Sequence, residues 1–402
     1  MSKIKDSVIV TSAKSRVAYN IVRSLGRHGC NVCVSDVERC SMSAASRYAS
    51  GSFLYPSPFT EPENFINCLI NNIKQRNVDV LIPVLEETFL FSKYKNEIEK
   101  NVKIVIPEYE QILTVHNKDK WVPIATQLGI LSPKSYLVSD IKKDMSLLRD
   151  IRYPALLKPK QGGGGWAILE LNSVLEAKNI LLSDTYSDHL LDHFFIQEKI
   201  IGGTHCVAML FCQGSLRGKV AYQQLRQYPV KFGQAVLRES IRSEIAEEHL
   251  ESLLIYLNWH GVCQADFVVE ESTGIPYLVD INPRFWGSLA QSIASNVDFP
   301  WLLYRIAMDG DVDPVNHFKI GARSRWFGGD LCSFFPLLSQ SLNKTEFVKN
   351  FVFQNFRDVF WDDLSTEDLL PFFAWGFYSF RSIFSHKFLN TAKDNRLNGI
   401  WK

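Results

Sequence analysis

The N-terminal quarter of the chain alternates short apolar strands with amphipathic helices, and this alternation constrains the fold more strongly than any other feature. Apolar runs bounded by turn-forming residues predict strands, and apolar residues at helical spacing predict helices between them. Strands and helices in alternation form a parallel sheet covered by helices, so an α/β domain is expected. The predicted strands are 7–11, 31–36, 78–84 and 102–106, and the predicted helices are 16–28, 63–76 and 88–100.

A dinucleotide site is the first function that such a domain suggests, and the sequence argues against it. Asp36 ends the second predicted strand, where an acid binds ribose in dinucleotide-binding domains. The first turn, 12–15, lacks the glycines of a G-x-G-x-x-G motif, so its backbone could not approach a pyrophosphate closely. We therefore interpret Asp36 as a surface residue, and an oxidoreductase is the least favoured function.

The pattern changes near residue 153, where strands and helices no longer alternate regularly. Two predicted strands flank a run of four glycines, and several later strands follow one another through short turns, which is typical of antiparallel pairs. This part of the chain is therefore expected to be α+β. The predicted strands are 153–158, 166–171, 194–201, 205–212, 217–222, 262–270 and 276–282, and the predicted helices are 173–182, 243–258 and 288–296.

Charge and cysteine content narrow the class of protein. The 402 residues include 44 Lys plus Arg and 43 Asp plus Glu, a balance that does not favour a general binder of nucleic acid or anionic membranes. The eight Cys are too few for a disulfide scaffold, so buried free thiols are expected. The first residues lack the apolar run of a signal peptide, and the sequence contains no apolar run of about 18 residues. A cytoplasmic protein is expected.

Four consecutive glycines form the most unusual local feature of the sequence, and they are costly to order because glycine loses more backbone freedom than any other residue. They are useful where a chain closes over an anion and offers backbone N–H groups to it. The run lies between two predicted strands and lacks Gly-Lys-Ser/Thr, so it is not a P-loop. Lys158 ends the preceding strand and supplies a cation nearby. Taken alone, the glycines could equally form a flexible hairpin tip. They are Gly162, Gly163, Gly164 and Gly165.

A second group of polar residues lies on two predicted strands joined by a turn. Asp266 interrupts the apolar run Ala-Asp-Phe-Val-Val, and burying a lone carboxylate is costly unless a partner compensates it. Asp280 and Asn282 are two residues apart, so their side chains leave the same face of the strand. These oxygen donors suit Mg²⁺, so the three residues are the predicted metal ligands. Alternatively, the acids pair with Arg284 or with lysines in a structural network.

At these residues the sequence resembles the ATP-grasp superfamily, in particular the group related to the large subunit of carbamoyl-phosphate synthase and to carboxylate–amine ligases. The resemblance runs from about 116 to 297, and the α/β domain before it is similar to the domain that usually precedes an ATP-grasp module. Each matching element is weak alone, but six occur in order at suitable spacing. They are Asp119-Lys120, Tyr-Pro-x-x-x-Lys158-Pro, the Gly162–Gly165 loop, Gln197-Glu198-Lys199-Ile200, Ala265-Asp266-Phe267 and Asp280-Ile-Asn282-Pro-Arg284.

The resemblance implies a fold of three parts. A Rossmann-like α/β domain would occupy 1–115, an ATP-grasp domain 116–310, and a mainly helical, aromatic-rich C-terminal region 311–402. The ATP-grasp domain would consist of two α+β subdomains, 116–195 with the glycine loop and 196–310 with the metal site. An adenine nucleotide would be clamped between these subdomains.

The resemblance also implies a role for each motif. Lys120 and Lys158 would contact the α and β phosphates of ATP, and the four glycines of the loop would close over the β and γ phosphates. The three oxygen donors would hold one or two Mg²⁺ (or Mn²⁺) ions. Arg284 would touch the γ phosphate or the acyl oxygens, so Lys158 and Arg284 are the predicted catalytic residues. The remaining expected nucleotide-binding residues are Gln197, Glu198, Lys199, Ile200, Ile201 and His205.

The family's usual reaction is the expected one: ATP phosphorylates a small-molecule carboxylate, and an amine or thiol then displaces phosphate from the acyl phosphate. The sequence departs from the family at three positions. Asp280 stands where Glu is commoner, and His205 stands where an acidic ribose ligand is common. Gln264 stands where some amino-acid ligases carry Arg, which disfavours a D-alanine-ligase-like activity.

Two other functions stay open at this point. One is a bicarbonate-using enzyme of the carboxylase or carbamoyl-phosphate type, although the sequence shows no biotin-carrier motif or glutaminase domain. The other is a nucleotide-binding regulatory protein that no longer turns over. Homodimers are common among relatives, so a homodimer is the expected assembly.

Several residues have two interpretations each. Glu86 and Glu87 follow a strand at the edge where α/β domains bind ligands, so they either face a substrate or begin an exposed helix. The aromatic stretch 371–380 either packs on the core or contacts a partner or a membrane surface. Gln234 and Glu239 could face the amine, or have no role in binding. The arginines that either bind an anionic substrate or are structural are Arg226, Arg238, Arg323 and Arg325.

Overall fold

A computed structural model gives the structure of the chain and describes residues 6–160, 168–183, 193–353 and 359–383. The described part contains three β-sheets. The predicted phosphate-closing loop lies outside the described residues, so its role stays a prediction. The residues of this loop are Gly162, Gly163, Gly164 and Gly165.

The first sheet has four parallel strands in the order β3-β2-β1-β4, which confirms the predicted parallel sheet. Two details differ from prediction. Segment 102–106 is not a strand, because Lys103 forms only an isolated bridge with Val80. The sequence Ala-Ser-Gly-Ser-Phe-Leu of β3 is too polar to be recognised as a strand. The elements are β1 Ser7–Val10, α1 Arg16–Arg27, β2 Asn31–Asp36, β3 Ala49–Leu54, α2 Pro62–Arg76, β4 Val80–Ile82, α3 Glu87–Lys93 and α4 Lys95–Ile98.

The second sheet has four strands in the order β5-β8-β6-β7, and each pair is antiparallel. Strands β6 and β7 flank the glycine run, as predicted. The elements of this part are α5 Tyr109–His116, α6 Lys118–Gln127, β5 Ser135–Leu137, α7 Val138–Lys143, β6 Ala155–Pro159, β7 Leu169–Leu171, α8 Val174–Leu181 and β8 Phe194–Glu198.

The third sheet has seven strands in the order β13-β12-β9-β10-β11-β14-β15. The predicted antiparallel strands are present, but β10 is longer than predicted and β11 was not predicted as a strand. The strands are β9 Gly202–Cys212, β10 Ser215–Tyr228, β11 Gln234–Ser240, β12 Gly261–Glu270, β13 Pro276–Asn282, β14 Arg323–Arg325 and β15 Val359–Trp361. The helices around them are α9 Glu244–Tyr256, α10 Leu289–Ala294, α11 Phe299–Asp309, α12 Phe327–Gln340, α13 Lys344–Phe353 and α14 Leu370–Ile383.

Both faces of the seven-stranded sheet are covered. Strand β9 has apolar residues on each face, since Cys206 and Ala208 belong to the core shared with the first sheet. Val207 and Met209 belong to a second core, under α9. Because successive side chains of a strand point to opposite faces, this apolar run holds the first sheet against one side of the third. The N-terminal residues therefore reach the polar side chains of that side.

The described part of the C-terminal region is mainly helical but also contributes two short strands to the third sheet. Strand β14 pairs with β11, and β15 extends the sheet beyond it. A buried ion pair joins the C-terminal region to β11 of the third sheet. Arg238 Nη2 of β11 lies 2.8 Å from Oδ2 of Asp362, the residue directly after β15. Arg238 was one of the arginines interpreted either as binding an anionic substrate or as structural. In the structure its partner is the carboxylate of Asp362.

We expect Asp362→Asn to lower the free energy of unfolding by about 3–5 kcal/mol, because a buried guanidinium would lose its charged partner. Asp362 and Arg238 are both fully buried, so water cannot replace the lost carboxylate. Urea unfolding followed by fluorescence measures the change. The matched control is Glu367→Gln, since Glu367 forms an exposed ion pair with Arg27. An equal loss in both variants would contradict the prediction.

The eight cysteines are all free thiols, as expected, but Cys40 and Cys332 are exposed rather than buried. In the described residues no helix combines the length and the apolar content that crossing a membrane requires. The aromatic stretch lies on α14, where Trp375 packs edge-on against Trp326 while Phe373 and Phe377 stay exposed.

Candidate active site

The predicted metal ligands lie side by side on the antiparallel pair β12 and β13. Asp266 is directly opposite Asp280, and Gln264 is opposite Asn282. Asn282 Nδ2 donates to Gln264 Oε1 at 2.9 Å, and Gln264 Nε2 donates to Asp266 Oδ1 at 2.7 Å. Gln264 therefore orients both neighbours, a role that the sequence did not reveal.

The carboxylate of Asp266 has only neutral hydrogen-bond donors among the described residues. Besides Gln264, it accepts a bond from Cys206 Sγ at 2.9 Å. Burial and the charge of Asp280 raise the pKa of Asp266 to about 6. A cation between the two carboxylates would compensate both. Two acids and one amide therefore fit Mg²⁺, although the described residues hold no cluster of three or more His, Cys, Asp and Glu side chains suited to a metal.

Two lysines lie near Asp280, one from β6 of the second sheet and one from the start of α6. Lys158 ends β6, and its Nζ donates to Gln197 Oε1 at 2.9 Å. Burial, with nearby Lys118 as a further cause, lowers the pKa of Lys158 to about 8. Lys118 Nζ lies 4.5 Å above the ring of Phe195, the residue that pairs with Lys158 across β6 and β8. The two ammonium groups thus share one side of the site.

Arg284 links the third sheet to the first. Its Nη2 lies 2.8 Å from Glu86 Oε1, and its Nη1 donates to the carbonyl of Phe285. This guanidinium lowers the pKa of Glu86, although burial opposes the shift. His116 lies close to this pair and to Asp280, and burial lowers its pKa.

An exposed helix start, one of the two interpretations of this segment, is wrong for Glu87 but not for Glu86, whose side chain is 40% accessible. Glu86 contacts Arg284, and Glu87 is buried. Glu87 Oε1 accepts hydrogen bonds from Thr11 at 2.6 Å and from Ser12 at 2.7 Å.

Asp36 is likewise buried, not at the surface as interpreted. Its carboxylate accepts hydrogen bonds from the backbone N–H groups of Lys14 and Val37, both at 2.7 Å. These bonds tie the end of β2 to the turn before α1, so Asp36 has a structural role in the first sheet.

Solved structures with the same architecture come from three kinds of enzyme. The biotin carboxylase domain of Hydrogenobacter thermophilus 2-oxoglutarate carboxylase, in complex with MgADP, ADP and bicarbonate, superposes with a TM-score of 0.61 at 14% identity, over 78% of this chain and 72% of that one. An L-amino acid ligase from Bacillus licheniformis gives 0.59 at 14% identity, covering 78% and 79%. N5-carboxyaminoimidazole synthase from Aspergillus clavatus, with ADP and 5-aminoimidazole ribonucleotide, gives 0.57 at 16% identity, covering 79% and 80%.

All three are ATP-grasp enzymes. This chain has the ATP-grasp fold. No protein-family model matches the sequence, so the fold is established by structural similarity. The resemblance that six short motifs implied is confirmed at the level of the fold.

The remaining predicted nucleotide-binding residues lie where β8 of the second sheet leads into β9 of the third. Glu198 ends β8, and its side chain accepts a bond from the backbone N–H of Arg152 at 3.4 Å. Lys199 Nζ lies 2.7 Å from Glu170 Oε1, so its side chain is already paired. Ile201 is exposed, so its side chain is accessible to the adenine ring of a nucleotide.

His205 lies on β9, close to the same junction of the two sheets. Its Nδ1 lies 2.9 Å from Ser243 Oγ, and burial lowers its pKa. A neutral imidazole of this kind can still hydrogen-bond a ribose hydroxyl. The expected contact with the nucleotide therefore stays a prediction.

Of the two lysines predicted for the α and β phosphates, Lys158 lies near the acidic pair, whereas Lys120 is exposed. Lys120 is exposed on α6, whereas Lys118, at the first position of that helix, is half-buried beside Lys158. Sequence alone could not separate the two, because both occur in Asn117-Lys118-Asp119-Lys120 and only helix phase distinguishes them. Lys118 is therefore a further candidate phosphate ligand, which the sequence alone did not indicate.

Proposed function

We propose that the protein is an ATP-dependent, ADP-forming ligase that joins a small-molecule carboxylate to an amine or thiol. The observation that carries this proposal is the placing of Lys118 and Lys158 opposite Asp266 and Asp280. Cations and oxygen donors of this kind are what the triphosphate of Mg-ATP requires on its two sides. The division into 1–115, 116–310 and 311–402 belongs to the proposal as well, and so does a cytoplasmic homodimer.

The chemistry follows from the charges at the site. Lys118 and Lys158 would neutralise the phosphates of ATP, and Mg²⁺ held by Asp266, Asp280 and Asn282 would supply charge stabilisation for the transferring phosphoryl group. A carboxylate oxygen of the substrate attacks the γ phosphorus, and the bond from phosphorus to the ADP oxygen breaks. Arg284 would hold the acyl oxygens.

In the second step the amine nitrogen attacks the acyl carbon. The bond between that carbon and the phosphate oxygen breaks, and the nitrogen loses a proton to solvent or to a nearby base. Phosphate and ADP are then released with the amide product. Exclusion of water by the surrounding sheets would protect the acyl phosphate until the amine arrives.

The proposal is tested by measuring ADP and phosphate release with Mg-ATP against pooled amino acids, hydroxy acids and sugar acids, with and without hydroxylamine. Carboxylate-dependent ADP together with a trapped hydroxamate is the expected result. ADP release that depends on bicarbonate instead would establish the alternative, which the bicarbonate in the Hydrogenobacter thermophilus complex brings into consideration. ATP binding without turnover in every pool would indicate a regulatory protein.

We expect Lys118→Ala to raise the KM for ATP roughly 10-fold or more, because one phosphate contact of the charge-assisted kind would be lost. Lys120→Ala is the matched control, since it removes an exposed lysine two positions along the same helix. It should change the KM by less than about 3-fold. Steady-state ADP release at varied ATP measures both values. The reverse ranking would restore Lys120 as the phosphate ligand.

A further inference from the structure

Arg16 extends the site at its N-terminal end, and neither the sequence motifs nor the proposed mechanism uses it. It is the first residue of α1 and follows the N-cap residue Ser15, whose hydroxyl accepts a bond from the N–H of Ala18. The side chain of Arg16 crosses to the third sheet, where Nη2 donates to Gln234 Oε1 at 3.2 Å. A Cβ placed on Gly287 would lie 3.2 Å from the same Nη2. Arg16 therefore touches the loop that follows Arg284.

The guanidinium of Arg16 is held in place by its neighbours. It stacks on the ring of Trp326, with its central carbon 3.9 Å from the ring centroid. Its Nε lies 3.5 Å from Asp362 Oδ2 and is buried without a hydrogen-bond partner among the described residues. Asp362 has its hydrogen bond with Arg238 instead, at 2.8 Å. Asp362 and Asp363 both place negative charge near Arg16, while Nε itself makes no hydrogen bond among the described residues.

The side chain of Arg16 is largely covered but reaches the protein surface beside Gln234. Gln234 is exposed, and the side chain of Arg16 keeps 12% of its surface accessible. A rigid, stacked guanidinium next to an amide suits a carboxylate or a phosphate, which can accept two parallel hydrogen bonds. Gly287 packs closely against the same guanidinium, and any side chain at this position would crowd Arg16.

We propose that Arg16 binds an anionic group, a carboxylate or a phosphate, on the amine substrate. This inference rests on the proposed ligase function and specifies its second substrate. The two lysines and the metal ligands account for the phosphates of ATP, and Arg284 accounts for the acyl oxygens. The subsite of Arg16, Gln234 and Gly287 adjoins the segment that follows Arg284. Because Arg284 would hold the acyl oxygens, a group bound at this subsite would belong to the substrate that attacks the acyl carbon.

The test compares amines that differ only in an anionic group, once hydroxylamine trapping has identified the acid. Glycine, alanine and glutamate are compared with glycinamide, alaninamide and isoglutamine, and phosphoethanolamine with ethanolamine. We expect ADP release with the anionic amines of either the carboxylate series or the phosphate series, and not with their neutral counterparts. The series that supports turnover identifies the anionic group. Equal turnover of charged and neutral members would overturn the inference, and so would turnover of neutral members alone.

Variants then assign the effect to the residue. Arg16→Gln should raise the KM for the anionic amine about 30-fold with the KM for ATP unchanged. Arg16→Lys should recover part of this loss because it keeps the charge. Gln234→Ala should raise the same KM by a smaller factor. The control Arg27→Gln removes a charge from the same helix at its far end and should change neither KM. A KM effect on the acid or on ATP would contradict the assignment.

Failure of the proposed function would be visible separately, as the absence of substrate-dependent ADP with wild-type protein. In that case thermal unfolding with each anionic amine at millimolar concentration still tests Arg16. A rise in the unfolding midpoint that is lost in Arg16→Gln and kept in Arg27→Gln supports the subsite. No rise, or an equal rise in both variants, overturns it.

Discussion

Replacing Lys158 by alanine should lower kcat/KM for ATP-dependent ADP formation by about 10³-fold, because the phosphoryl group in transfer would lose a buried positive charge. The ammonium lies at the end of β6 and is directed by Gln197, so it is already positioned before ATP binds. A preorganised charge of this kind stabilises the transferring phosphoryl group without reorganisation during the reaction. Initial rates of ADP release at varied ATP measure the loss.

The control for Lys158 lies two residues along the chain. Lys160 is exposed directly after the same strand, and Lys160→Ala should leave turnover within about 2-fold. Circular dichroism and the thermal midpoint show whether Lys158→Ala is folded. Activity that survives in a folded Lys158→Ala protein would remove this residue from the site.

The pH dependence of ATP binding should follow the protonation of Lys158. Burial lowers the pKa of Lys158 to about 8, and only the protonated form attracts phosphate. ATP affinity should therefore fall as pH rises through about 8 in the wild-type protein. In Lys158→Arg the fall should disappear over that range, because a guanidinium stays protonated. An identical pH profile in both proteins would contradict the assignment.

Replacing Asp280 by alanine should also lower turnover by about 10³-fold, because the metal would lose one of its two carboxylates. Asp280 is exposed and faces the half-buried Asp266, so its removal should leave the fold intact. Asp280→Glu restores the residue that is commoner in the family and should recover most of the activity. Activity titrated against Mg²⁺ and against Mn²⁺ measures the metal requirement of each variant.

The control for Asp280 is Glu271→Ala, which removes an exposed acid from the turn between β12 and β13. It should leave the metal requirement unchanged. If Asp280→Ala keeps wild-type turnover at low Mg²⁺, the three oxygen donors do not form the metal site. The acids would then be the structural network that the sequence also allowed.

Much of the fold was readable because its signals are local. The alternation of strands and helices predicted the parallel sheet, and the glycine run between β6 and β7 marked the connection of an antiparallel pair. The strands β12 and β13 were also predicted within a residue or so, because each is an apolar run bounded by turn residues. Strand β3 was missed since serine and glycine interrupt its apolar pattern.

The order and spacing of six motifs in the sequence predicted the ATP-grasp fold. The same motifs predicted four site residues, Lys158, Asp266, Asp280 and Asn282. Only the tertiary structure distinguished Lys118 from Lys120. The two lysines lie on different sides of α6, so that Lys118 is half-buried and Lys120 is exposed. The contact of Glu86 with Arg284 and that of Arg16 with Gln234 were also visible only in the tertiary structure. The residues of these two pairs are 198 and 218 positions apart in the chain, respectively. Contacts at such separations depend on how whole sheets pack together, and no local pattern in a single sequence encodes them.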